Sequence, residues 1–248
     1  IGMGINMDLD QVFFSNIKKF DGKKLRRLNI SEIGQIAGRA GRYLNDGSFG
    51  ITGECGEINP EEIEALEQHK FPEIQQIFWR NSKLNFSSKL NLIKSLEEKP
   101  DKEWLRRIYE CEDEKALKYF LKDATDFQIL ENSYDLKILW ECCQIPDFVK
   151  KTYGNHLEII SKVFKFLTSK NKRIPNQYMK EQLASLDKIE GNVDSISNRI
   201  ANVRTWSYVA NKANWVENQD YWVERAKNLE DKLSDRLHEE LTKTFIDK

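Results

Sequence analysis

The chain has 248 residues, with 39 lysines and arginines set against 40 aspartates and glutamates, for a formal net charge of −1. A chain of this length can bury roughly 70–75% of its unfolded surface, so a core needs no disulfide or metal to hold it. The near-neutral balance excludes nucleic-acid binding by bulk charge and makes any basic site a local one; no apolar run reaches the ~18 residues of a membrane span.

Glycine usage divides the sequence. Most of the twelve glycines fall in residues 1–58, among short β-like runs, whereas from Asn59 onward glycine is sparse and helical patterns dominate. The expected organisation is a first segment over 1–58, a helical domain over 59–145 and a C-terminal helical bundle over 146–248. Cys55, Cys111, Cys142 and Cys143 have no metal-ligand spacing and read as reduced, mostly buried small hydrophobes of a cytosolic-type compartment. No signal-peptide pattern opens the chain. It begins with Ile1 rather than Met, which reads as a piece of a longer protein.

In chain order, "IGMGIN" (Ile1 to Asn6) comes first, then "QVFFSNIKKF", "DG" and "KKLRRLNI". Val12, Phe13 and Phe14 suit a buried strand, and Asp21-Gly22 suits a tight type I′ turn between two extended arms. Those arms hold Lys18, Lys19, Lys23, Lys24, Arg26 and Arg27 against one acid, Asp21. Two readings stand: a solvated connecting hairpin, or a basic finger on a phosphate backbone through Lys23, Lys24 and Arg26.

From Ser31 the pattern turns helical and runs into "QIAGRAGR", Gln35 to Arg42. At about 100° per residue, Ile33, Ile36, Ala37 and Ala40 form a core-facing stripe. Gln35, Arg39 and Arg42 fall on the opposite side, and Gly34, Gly38 and Gly41 between. Each interior glycine costs about 1 kcal/mol relative to alanine, so three of them suggest that something approaches the backbone closely. Two guanidinium forks and an amide on one face suit a polyphosphate. Ordinary surface ion pairs are the competing reading.

"QIAGRAGR" resembles motif VI of superfamily-two helicases, Q-x-x-G-R-x-G-R, and "IGMGIN" resembles the end of their motif V. With "KFDG" and the later "RIANVRTWSYVANKANW", the chain is similar to the mitochondrial degradosome type of RNA helicase and its α-proteobacterial relatives, closely over residues 1–58 and more loosely beyond. The resemblance implies a mainly α chain: a remnant of the second RecA-like α/β motor domain, followed by an all-α extension. It implies an enzyme that uses ATP and Mg²⁺ to act on RNA and, in some members, DNA. It also implies that Arg42 is the arginine finger, that Arg39 and Gln35 contact the nucleotide, and that Gly4 and Asn6 couple nucleotide and nucleic-acid sites. No G-x-x-x-x-G-K-[ST] phosphate loop occurs in the sequence, so the chain by itself is expected to be inactive and to bind no nucleotide cofactor. "DEKA", Asp113 to Ala116, reads as two exposed helix acids and not as a Mg²⁺-holding box.

Past Asn59, "NPEEIEALEQHK" is a helix start, with Pro60 in the first turn and Glu62 closing a capping box. Helical runs are expected at about 72–97, 102–122, 127–144, 147–169, 176–190, 192–212 and 218–246. Trp206, Tyr208, Trp215, Tyr221 and Trp222 are interleaved with Arg199, Arg204, Lys212 and Arg225, either as a packed core or as stacking partners for bases. Leu229, Leu233, Leu237 and Leu241 form an intramolecular packing stripe, and His69, His156 and His238 are isolated. The second functional reading is a helical module that recruits a ribonuclease. Bacterial cytoplasm is the expected compartment and the mitochondrial matrix the alternative.

Overall fold

The computed structural model describes residues 9–21, 24–41, 45–109, 111–122, 132–150 and 152–245. The fold is mainly α, with short two-stranded sheets, and the chain forms two compact units, 1–76 and 77–248.

The first unit is built on a parallel pair, β1 (Gln11–Phe14) and β4 (Ser48–Ile51), with Val12 opposite Phe49 and Phe14 opposite Ile51. Parallel neighbours need a crossover. Here it consists of the hairpin β2 (Lys18–Phe20) and β3 (Leu25–Arg27), then the helix α1 (Ile30–Ala37). Phe14, Ile17, Leu28, Ile33 and Ala37 form the core under this crossover. The second helix, α2 (Pro60–Glu67), adds Leu66 to the same core, and Ile58 lies in it too. The compositional boundary after residue 58 therefore falls inside this unit: glycine thins out where α2 begins, but the core continues through it.

The second unit opens with β5 (Ile77–Trp79), crosses through α3 (Lys89–Leu96) and returns as β6 (Leu105–Arg107), parallel to β5. This corrects the helix expected over 72–97 and shortens the one over 102–122. "IFW" and "LRR" are too short to show a period of their own, and ladder pairing decides them. Then come α4 (Glu112–Lys122), α5 (Ser133–Cys143), α6 (Tyr153–Leu167), α7 (Asn176–Leu186), α8 (Val193–Asn211) and α9 (Gln219–Phe245). Asn132, Thr152 and Asn192 cap α5, α6 and α8, each accepting a hydrogen bond from the third helical N–H, as polar N-caps do. One continuous core runs from Leu92 through Cys142, Ile160, Leu183 and Val203 to Leu233, across the expected division at 145.

The leucine stripe of α9 packs inward through Leu229 and Leu233, with Leu237 partly buried. Trp206, Trp215 and Trp222 are buried, and Trp222 Nε1 donates to Asn176 Oδ1 at 2.9 Å. The packed-core reading holds for these three rings. Cys142 and Cys143 are also buried, and desolvation pushes both thiols up from their ordinary range.

Candidate nucleotide and nucleic-acid site

Helix α1 starts at an Asn29 cap. Asn29 Oδ1 accepts from the Glu32 N–H at 2.9 Å, and Glu32 Oε2 accepts from the Asn29 N–H at 2.9 Å. The inward stripe is the expected one, with Ile33 and Ala37 buried and Ile36 partly so. Gln35 is exposed on the outer side.

The helix does not continue through Arg42. It stops at Ala37, with Gly38 as its C-cap donating to Gly34 O at 2.8 Å. The chain then tightens, Arg39 N–H donating to Ile36 O at 3.1 Å and Ala40 N–H to Ala37 O at 2.9 Å. Ala40 bridges to Leu9, and the Gly41 N–H donates to Leu9 O at 2.7 Å. A helical wheel therefore cannot place Arg39 opposite the core: Arg39 is partly buried in the turn that follows the helix. Arg42, Gly4, Asn6 and Lys23 lie outside the described residues.

The glycines have local explanations. Gly41 has φ +65°, and a Cβ there would collide with the backbone of Asn45 and Gly47. At Gly34 a Cβ would stand 2.7 Å from the Phe71 ring. What approaches the backbone at Gly34 is Phe71, not a ligand.

The hairpin differs from its sequence reading in charge. Its register sets Lys18 against Arg27 and Lys19 against Arg26, like charges directly across the ladder. Neighbouring elements supply the missing acids. Arg26 is bidentate to Glu32 at 2.8 and 2.9 Å, and Lys19 reaches the same carboxylate. Arg27 is bidentate to Glu62 at 2.5 and 2.8 Å and also donates to Glu57 O. Asp21 N–H donates to Lys24 O, and Lys24 N–H donates to Asp21 Oδ1, so Asp21 flanks the turn rather than forming its centre. Three of the six basic residues, Lys19, Arg26 and Arg27, are thus held by acids of neighbouring helices, and Arg26 is committed to the fold. Lys18 and Lys24 are exposed, with no ion pair among the described residues. Phe20 and Leu25 face each other near the tip, both exposed.

Glu32 is the centre of this network. Hydrogen bonds from Arg26 first, then from Lys19 and the Asn29 N–H, hold its carboxyl far below the ordinary 4.5. A carboxylate with a depressed folded-state pKa contributes stability above its unfolded value, and that contribution is lost as pH falls through the lower folded one. Glu32→Gln is therefore expected to destabilise the first unit at pH 7. The gap to wild type should narrow steadily below about pH 4.5, as the unfolded wild-type chain takes up a proton that the folded carboxylate resists. Urea unfolding followed through the α1 amide resonances at several pH values checks this, and a gap independent of pH would refute it.

In the second unit, the acids of "DEKA" are not the exposed pair expected. Asp113 is bidentate to Arg80 at 2.7 and 3.0 Å. Glu114 is buried, bonded by Arg107 at 3.1 Å and Lys118 at 2.8 Å. Among the described residues, no helix is long and apolar enough to cross a membrane.

Sequence reasoning missed Glu32 and Glu62 as partners of the hairpin. It reads Glu62 as a capping residue and does not read Glu32 at all; the role of both as hairpin partners arises from packing the hairpin onto the helix N-termini.

Sixty-six residues, 27% of this chain, are 54% identical to DExH16, a mitochondrial DExH-box ATP-dependent RNA helicase of Arabidopsis thaliana. The chain contains a segment homologous to ATP-dependent RNA helicases. The mitochondrial ATP-dependent RNA helicase SUV3 of Oryza sativa matches at 46% identity, also over 66 residues. SUV3 of Saccharomyces cerevisiae matches at 42% over 50 residues, 20% of this chain. The matched stretch spans 11% of each plant relative and 7% of the yeast one. No family model and no solved structure matches the chain.

Proposed function

We propose that residues 1–76 supply part of the motor of an ATP-dependent RNA helicase, and that the helical unit guides one RNA strand. The observation that carries this reading is the 54% identity over 66 residues to a mitochondrial ATP-dependent RNA helicase. The crossover geometry supports it: a parallel β1–β4 pair, a basic hairpin, and a helix that ends in a tight Gly-Arg turn beside β1.

The donors suit one wall of a nucleotide site. Gln35 offers an exposed amide, and Arg39 places a guanidinium in the turn after α1. In the proposal these two hold phosphate or sugar oxygens, Arg42 is the arginine finger, and Gly4 and Asn6 couple that site to the RNA. The nucleotide with its Mg²⁺ supplies the phosphoryl group and its counter-charge. The chain's sequence contains no phosphate loop, so hydrolysis requires residues from outside it. Lys23 and Lys24 are proposed to touch the RNA backbone, with Arg26 positioning the hairpin through Glu32. The relatives' printed names support a mitochondrial setting over a bacterial cytoplasm. No observation singles out DNA or a ribonuclease, and neither is part of the proposal.

The test uses the chain as it stands. It should bind a labelled single-stranded RNA, shown by anisotropy across a salt series, and turn over no ATP. Lys24→Ala should weaken binding and lower the salt slope by about 0.7, one phosphate contact on a single strand. Absence of RNA binding by the wild-type chain would sink the reading, as would robust ATP turnover by the purified chain alone.

A further inference from the structure

Of the aromatic residues in the last third of the chain, Trp206, Trp215 and Trp222 are buried. A second set, exposed, surrounds the β5–β6 ribbon. Phe78 is 69% exposed, Tyr109 66% and Trp104 48%. Arg107 fixes which face is which. Its guanidinium donates to Leu96 O in α3 at 3.1 Å and to Glu114 in α4, so its side of the ribbon faces the helices. Strand side chains alternate, so Arg106 and its register partner Phe78 take the opposite, outer side. Arg106 is exposed and has no ion pair among the described residues. Trp104 lies in the turn that enters β6, its C=O accepting from the Ile77 N–H at 2.9 Å, and the Lys102 ammonium sits 5.2 Å from its ring centroid. At the far end the Arg107 guanidinium lies 5.0 Å from the Tyr109 ring.

Resting on the RNA reading above, we infer that the outer face of the β5–β6 ribbon, with Phe78, Trp104, Lys102 and Arg106, is a stacking platform for the bases of single-stranded RNA. Trp104 has the Lys102 ammonium beside it, and Phe78 stands in register with the exposed Arg106. A base can lie on the ring while its phosphate meets the cation, the pairing that single-strand binders use without reading sequence. Protein interfaces, by contrast, deplete lysine from their cores. A three-residue strand is about 10 Å long, room for about two nucleotides. Asp101 and Glu103 are also exposed in the adjoining turn. They keep the local net charge low and disfavour the dense phosphate of a duplex. Stacking, more than charge, then supplies the affinity.

The experiment measures binding of labelled oligouridylate to the 248-residue chain. The variants are Phe78→Ala/Trp104→Ala, Trp104→Phe and Lys24→Ala, each checked for a wild-type circular dichroism spectrum. The double variant should lose about tenfold or more in affinity with an unchanged salt slope. Trp104→Phe should keep most of the affinity while losing the RNA-induced quenching of tryptophan fluorescence that the wild type shows. If the double variant binds like wild type while Lys24→Ala is weakened, the platform is wrong, the proposed function stands, and the face is a contact for protein. If the wild-type chain binds no RNA, both fail.

Discussion

In a protein that joins this chain to a phosphate-loop domain, Arg42→Ala is expected to lower RNA-stimulated ATP hydrolysis by about 10³- to 10⁵-fold. ATP affinity should change little. A finger arginine meets charge that develops on the transferred phosphoryl oxygens, so its contribution is felt in the transition state more than in the bound ground state. Arg42→Lys should not rescue the rate. A lysine keeps the charge but not the planar fork that meets two oxygens at once. Gln35→Ala offers a contrast, since an amide that holds the nucleotide before reaction should raise KM more than it lowers kcat. Nucleotide binding by fluorescence titration and turnover with and without RNA separate these cases. A variant that hydrolyses at close to the wild-type rate removes Arg42 from the role.

The sequence was most informative where local rules and packing agree. The inward stripe Ile33 and Ala37, the Asn59–Glu62 capping box of α2 and the burial of Leu229 and Leu233 all follow from period and cap chemistry. It was less informative where a residue's role depends on a distant element. The wheel ran through Gly38 because periodicity holds no stop signal stronger than glycine, and Gly34, inside the same helix, is also a glycine. What separates them is the Phe71 ring over one and a left-handed Gly41 three residues after the other. Hairpin charge was misjudged for a similar reason. Glu32 and Glu62 lie outside the hairpin's sequence, yet both point at it once the helix N-termini dock. Trp206, Trp215 and Trp222 in the last third serve core packing, while the exposed rings near β6 sit in the unremarkable string "DKEWLRRIY". Local composition cannot show which face of a three-residue strand meets water.

Glu114→Ala should destabilise the second unit by about 3–5 kcal/mol, the range for removing one partner from a buried pair. Glu114 is only 1% exposed, and the Arg107 side chain against it is 10% exposed. Truncating the acid leaves the guanidinium with Leu96 O as its remaining hydrogen-bond acceptor among the described residues, and leaves Lys118 with Glu97 alone. The penalty is that of a buried cation without a counter-charge, and it exceeds whatever the intact pair contributes. Arg107→Met together with Glu114→Leu should therefore recover most of the loss, since neither charge then remains to be desolvated. Asp113→Ala is the internal control. Its partner Arg80 is more exposed, at 26%, and retains the Trp140 ring at 4.9 Å, so its cost should be clearly smaller. All six tryptophans lie beyond residue 77, so their fluorescence in urea reports the second unit without interference from the first. Equal midpoints for the Glu114 and Asp113 variants, at equal slopes, would show that the buried carboxylate is not what anchors β6 to α4.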